Sequence, residues 1–196
     1  MSHNDIIMKP KSDFTRKELL ELADRYSYNK PDPVIKGKYK GYLTREEFSE
    51  IVEWKTKRQI NNYNKNSDDD ILKTTTLAFA PNTSERLRIE SLCLLHGVHY
   101  PVASSILHFG YRPDYYPIID VRAIDSLYGI EVKNYSFYTF AKWKQYCSNC
   151  RELSLKVSSN TLLPDTPMRI VDKALWQFSK NKDNDKKKSI TAVYHH

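Results

Sequence analysis

The chain has 196 residues, enough for one compact core folded as two lobes around a cleft and too few for two large independent domains. Its 40% hydrophobic and 28% charged residues exclude a disordered chain, and no apolar run approaches the ~20 residues that cross a bilayer. Thirty-one Lys and Arg against 24 Asp and Glu give a net charge of +7, which suits a polyanionic partner such as nucleic acid, although part of the excess sits in the tail "KNKDNDKKK".

Read in chain order, the punctuation is helical. Thr15-Arg-Lys-Glu18 has capping-box spacing ahead of Leu19, Leu20 and Leu22, and the prolines of "YSYNKPDP" end that helix. "IKGKYKGYL" (35–43) is a basic connector containing Tyr and Gly. A second box, Thr44-Arg-Glu-Glu47, opens a helix with Phe48, Ile51, Val52 and Trp54 on its apolar side. After the polar linker "NNYNKNSDDD", Ser67 or Asp68 caps a helix over Ile71 to Ala80. In "ERLRIESLCLL" the positions of Ile89, Leu92, Cys93 and His96 make a helical stripe, and that helix is expected to stop at Gly97. The next begins about four residues later, with Pro101 in its first turn and Val102, Ala103, Ile106 and Leu107 buried.

"DVRAIDSLYG" predicts a short helix from Asp120 to Gly129, and "SFYTFAKWKQYCSNCRELSLKV" a longer amphipathic one. Thr166-Pro167 caps and opens "MRIVDKALWQFSK". Sustained apolar–polar alternation is absent, so the expectation is an all-α fold of roughly eight or nine helices. Residues 1–180 form a single helical unit with the hairpin segment at 87–127, and 181–196 a basic flexible tail. The N-terminal "MSHNDIIMKPKSDF" lacks the apolar region of a signal peptide, and three cysteines suit a reducing compartment. The protein is therefore expected in the cytoplasm, near the nucleoid.

The stretch from Leu92 to Ile106, through Leu95, Gly97, Val98 and Ala103, resembles the helix-hairpin-helix of the base-excision DNA glycosylase superfamily. Pro117-Ile-Ile-Asp120 follows it, similar to the segment that carries that superfamily's aspartate. The match covers about Leu87 to Leu127. The resemblance implies a hairpin at Gly97, Val98, His99, Tyr100 and Pro101 that holds the DNA backbone, with Asp120 as the catalytic carboxylate. It also implies a possible monovalent cation bridging hairpin carbonyls to a phosphate. The hairpin reads Gly-Val-His where the family has Gly-Val-Gly, so His99 is expected to offer a side-chain donor instead of the usual backbone approach. The position of the catalytic lysine in the 8-oxoguanine-type members falls on Pro101, which lies 19 residues before Asp120 and has no amine for a Schiff base. What is implied is a monofunctional glycosylase that requires no cofactor and acts as a monomer on double-stranded DNA with a damaged or modified base.

The residues have plainer readings beside these. Asp120 is also a favourable N-cap, and the whole segment also fits a non-catalytic helix-hairpin-helix DNA-binding protein. Trp54 and Arg58, four apart, would share a helix face and line a pocket, with Lys55 and Arg122 as further DNA contacts, yet Trp54 equally suits the core. Tyr100 is a candidate wedge into the gap left by a flipped nucleotide, and Trp143 and Trp176 are assigned to the core. Cys93, His96 and His99, and Cys147 with Cys150, have the wrong backbone settings for a metal site, and three cysteines cannot form a Cys₄ cluster motif. The excised base is left open among alkylated purines, deaminated bases and the modified cytosines of phage DNA.

Overall fold

The computed structural model describes residues 8–36, 40–158 and 163–193. Among the described residues the fold is all-α: α1 (Arg16–Asp24), α2 (Arg45–Lys55), α3 (Ile60–Tyr63), α4 (Asp68–Phe79), α5 (Glu85–Leu92), α6 (Tyr100–Gly110), α7 (Val121–Tyr128), α8 (Phe140–Val157) and α9 (Pro167–Val193). Two 3₁₀ turns, Lys57–Gln59 and Tyr135–Phe137, interrupt the connections.

Local chemistry sets most of the starts. Thr15, Thr44 and Ser67 each close a reciprocal capping box, with Glu18, Glu47 and Asp70 respectively. Asp120 caps α7, which ends at Gly129 in the left-handed region (φ 65°). Thr166 caps α9, its Oγ1 accepting from Arg169 N at 3.3 Å.

The helices group into two sets joined by one hydrophobic core. Helices α2 to α6, from the middle of the chain, pack on one another, while α1, α7, α8 and α9, from its two ends, pack around α9. The hairpin segment is thus divided: α5 and α6 lie in the first set and α7 in the second. The chain between them, from Tyr111 to Asp120, crosses the molecule and is pinned where it crosses. Ile119 N donates to Ser104 Oγ on α6 (3.1 Å), Ile118 N to Asp172 Oδ1 on α9 (3.1 Å), and Tyr146 Oη on α8 donates to Ile118 O (3.1 Å). Three helices therefore fix the approach to Asp120.

Two element boundaries depart from the sequence expectation. Helix α5 stops at Leu92, not at Gly97. Cys93, Leu94 and Leu95 donate to carbonyls three residues back, and Asn66 then clamps the loop, accepting from His96 N (2.7 Å) and donating to His96 O (3.2 Å). The helical stripe accordingly ends early: Leu92 is buried, but His96 is exposed. At the other end, the tail expected to be flexible from residue 181 continues α9 to Val193. Arg122 binds Asp183 (2.8 Å) and Lys182 binds Asp125 (3.3 Å), so ion pairs to α7 tie down the first residues of this stretch. Residues 194–196 lie outside the described residues.

Gly97 retains its expected importance. Its φ is +80°, and a Cβ there would sit 2.9 Å from the Tyr63 ring. Gly97→Ala is expected to cost about 1–3 kcal/mol, combining left-handed backbone strain with the displacement of Tyr63. A thermal melt should show this as a fall of several degrees, whereas an unchanged melt would mean that the hairpin tolerates another conformation.

Candidate active site

Asp120 lies where two cavities meet. Its Oδ1 accepts from Ala123 N (2.9 Å), the cap of α7, and its Oδ2 accepts from Lys55 Nζ (3.2 Å) at the end of α2. The pair is partly shielded, with the Lys55 side chain 11% and the Asp120 side chain 24% exposed. Lys55, Thr56, Arg58, Asp120 and Val121 border both cavities, which makes one continuous cleft.

The first cavity, about 410 Å³, has aromatic walls from Tyr26, Tyr28, Trp54 and Trp176. Tyr28 meets Trp54 edge-on (5.5 Å, 66°) and Trp176 likewise (5.6 Å, 75°), while Tyr26 meets Trp176 at 5.2 Å and 74°. Its polar lining includes Arg58, Arg122, Arg169 and Asp172. Arg169 is buried and bound by both oxygens of Asp32 (2.6 and 2.8 Å). Burial pushes the Asp172 carboxyl up to about 8, against the opposing pull of Arg169, the Ile118 N–H and Lys55. Burial likewise pushes Tyr26 up to about 12, although Arg169 opposes it.

The second cavity, about 360 Å³, carries the hairpin on one side, with Gly97, His99, Pro101 and Val102. Lys133, Asn134, Tyr135 and Tyr138 border it as well. Here the His99 ring stacks on Tyr135 at 4.5 Å. The first turn of α6 offers an anion few backbone donors: Pro101 has no N–H, and the N–H groups of Val102 and Ala103 both turn onto the His99 carbonyl (2.9 and 2.8 Å). Val98 is buried in the core and donates to Leu95 O (3.0 Å). Of the hairpin positions, then, Gly97, His99 and Pro101 border the cleft.

The sequence-predicted pocket residues Trp54, Lys55, Arg58 and Arg122 all border the first cavity, but by a different route from the one expected. Trp54 and Arg58 do not share a helix face. Thr56 breaks α2 with an extended backbone (φ −164°, ψ 131°), and its Oγ1 accepts from Arg58 N (3.3 Å) to start the 3₁₀ turn. Trp54 is both core and wall: it packs edge-on against Phe109 (4.9 Å) while bordering the cavity. Trp176, assigned to the core by its size, is half-buried and lines the cavity, with Arg122 over its ring at 5.4 Å. Trp143 is in the core as expected. Tyr100 lines neither cavity. It packs on the core with its hydroxyl on Glu90 Oε1 (3.2 Å), so its position does not suit a wedge.

Tyr26, Tyr28, Arg169 and Asp172 escaped the sequence reading. The two tyrosines lie in a segment read only as a helix end, and Arg169 looked like an ordinary charged helix position. Asp172 did carry a signal, an acid beside Lys173 between the apolar pairs Ile170-Val171 and Ala174-Leu175 of a helix. Among the described residues no group of three or more His, Cys, Asp or Glu could hold a metal ion, and no helix is long and apolar enough to cross a membrane. Cys147 and Cys150 are buried within α8, and Cys93 is half-buried.

No protein-family model, curated protein or solved structure matches this chain.

Proposed function

We propose that this protein is a monofunctional DNA glycosylase that flips a damaged or modified base from double-stranded DNA and hydrolyses its N-glycosidic bond. The observation that carries the reading is the position of Asp120, which lines both an aromatic-walled cavity and a second cavity bordered by the hairpin and basic residues. The DNA backbone would follow the second cavity, past His99, Lys133 and Arg58, and the extruded base would enter the first.

The chemistry asks little of the protein. As the bond to the base breaks, positive charge develops on the sugar, and a fixed carboxylate stabilises it. A carboxylate has about four lone-pair sites, of which Ala123 N–H and Lys55 Nζ take two, leaving capacity to orient and deprotonate a water. The α7 cap and the Lys55 pair hold Asp120 in one orientation before substrate arrives, so little reorganisation is needed during reaction. Water then adds to C1′ and leaves an abasic site. The hydrolysis requires no cofactor, though a monovalent cation between the hairpin carbonyls and a phosphate is compatible with it. The protein would act as a monomer in the cytoplasm, in base-excision repair or in defence against modified phage DNA.

An abasic analogue tests this reading against simple DNA binding. Base flipping costs a few kcal/mol, and a duplex carrying tetrahydrofuran in place of a nucleoside avoids most of that cost. It should bind at least about tenfold more tightly than the undamaged duplex, as read by fluorescence anisotropy. Equal affinity would favour a non-catalytic hairpin binder.

A further inference from the structure

Tyr135 is an aromatic ring that the core does not hold. It borders the second cavity from the 3₁₀ turn after α7 and is 55% exposed. Large aromatics are mostly buried, so a ring kept at the surface needs another support. Here the support is His99 of the hairpin, whose ring lies 4.5 Å from that of Tyr135 and 27° from parallel. The turn itself is anchored. Tyr138 N donates to Tyr135 O (3.1 Å), Ser136 Oγ donates to Asn134 Oδ1, and Lys142 Nζ donates to Phe137 O (3.1 Å) while sitting over the Phe137 ring (4.3 Å). The stack covers one face of Tyr135, and more than half of the residue remains open.

The cations beside it are open as well. Arg58 and Lys133 border the same cavity and are exposed, and among the described residues neither has a carboxylate within ion-pair distance. An exposed aromatic face next to unpaired cations is the combination that holds an unstacked strand, since the ring takes a base and the cations take phosphates. Position selects which base. Arg58, Asp120 and the exposed Val121 border both cavities. With C1′ of the extruded nucleotide at Asp120 and its base in the first cavity, the next nucleotide on the same strand is one phosphodiester away and starts at this junction. That neighbour loses a stacking partner when the target leaves the duplex, so a move onto Tyr135 replaces contact already half lost. The unpaired base of the other strand has no such tether.

We infer that the second cavity is a second nucleobase site, in which the same-strand neighbour of the extruded nucleotide stacks on Tyr135 while Arg58 and Lys133 bind the adjoining phosphates. This rests on the glycosylase reading and extends recognition from one nucleotide to two. Tyr135 is a positioning residue: it touches no reacting atom and acts by holding the strand so that C1′ stays at Asp120. Stacking is tolerant of the base edge, but a purine offers a larger face than a pyrimidine, so a purine neighbour should be favoured.

Fluorescence anisotropy on a set of duplexes tests the proposal. One is undamaged, and one carries a single tetrahydrofuran at the target position. Three more add a second tetrahydrofuran, on the 5′ side, on the 3′ side or in the partner strand opposite. For the wild type, loss of the base on one of the two same-strand sides is expected to weaken binding about tenfold relative to the single lesion. In Tyr135→Ala that loss should shrink to about twofold or less, whereas Tyr135→Phe, which keeps the ring, should match the wild type. Comparing proteins on the same duplexes cancels what the second lesion does to the DNA itself. Because Tyr135 is exposed, a thermal melt of either variant should be unchanged. A loss of equal size in Tyr135→Ala, no loss from any second tetrahydrofuran, or a Tyr135-dependent loss only for the partner-strand base would overturn the assignment and leave the glycosylase reading standing. A single tetrahydrofuran bound no better than undamaged DNA would overturn both.

Discussion

Asp120→Asn is expected to slow base release by about 1,000-fold or more while leaving affinity for an abasic-analogue duplex within a few-fold of wild type. The size follows from the two roles assigned to one group. The amide cannot deprotonate water, and it carries no charge to set against the developing oxocarbenium. The fold should survive, because Asn is as good an N-cap as Asp and Ala123 N keeps its acceptor. The structural cost falls on Lys55, left partly shielded without its counter-ion, at about 1–2 kcal/mol. Single-turnover kinetics, anisotropy and a thermal melt together separate these effects. A variant that releases base at the wild-type rate would remove Asp120 from the mechanism.

Asp32→Ala is the substitution expected to cost most in stability. Arg169 is 6% exposed, and Asp32 holds it through two hydrogen bonds. Removing the acid strands a buried guanidinium, at about 3 kcal/mol, or a fall of about 6–12 °C in Tm for a chain of this size. The sign of the pH dependence is fixed by the two acids nearby. Burial works against the Asp32 carboxylate, but the Arg169 hydrogen bonds and charge hold its pKa below the usual range. Its contribution is therefore complete above the ordinary Asp pKa and lost only as pH falls through the lowered folded value. Asp172 behaves oppositely: it is neutral when folded until about pH 8 and charged above. At pH 9 its carboxylate faces Arg169 and offsets part of the loss, so the Tm deficit of Asp32→Ala should be smaller at pH 9 than at pH 7. The same substitution frees Arg169 to pull Asp172 downward. Equal deficits at both pH values would show that Arg169 and Asp172 are not coupled through this site.

What the sequence made legible was local. The boxes at Thr15 and Thr44, the Ser67 cap, the Asp120 cap, Gly129 and the Thr166-Pro167 start each depend on a few adjacent residues, and each lies where expected. What it hid was set at long range. Helix α5 ends early because Asn66, 30 residues away in sequence, binds both main-chain groups of His96. Helix α9 runs on past residue 181, where Arg122 and Asp125 on α7 hold Asp183 and Lys182. The cleft follows the same division. Asp120 and the hairpin could be picked out from their own neighbourhood. The Lys55 contact spans 65 positions, and the aromatic walls come from both ends of the chain and from α2. Arg58 reached the cavity although the helix that was to carry it stops at Lys55, since a 3₁₀ turn presents it there instead.

The most direct test of the central claim is mass-spectrometric detection of free base after incubating the purified protein with duplexes carrying damaged, deaminated and phage-type modified bases. The account predicts one released base, or one chemical class of them, with an abasic strand left intact until alkali or heat cleaves it. A panel that stays intact under conditions where the protein binds every duplex would contradict it and leave a DNA-binding hairpin protein whose Asp120 is only a helix cap.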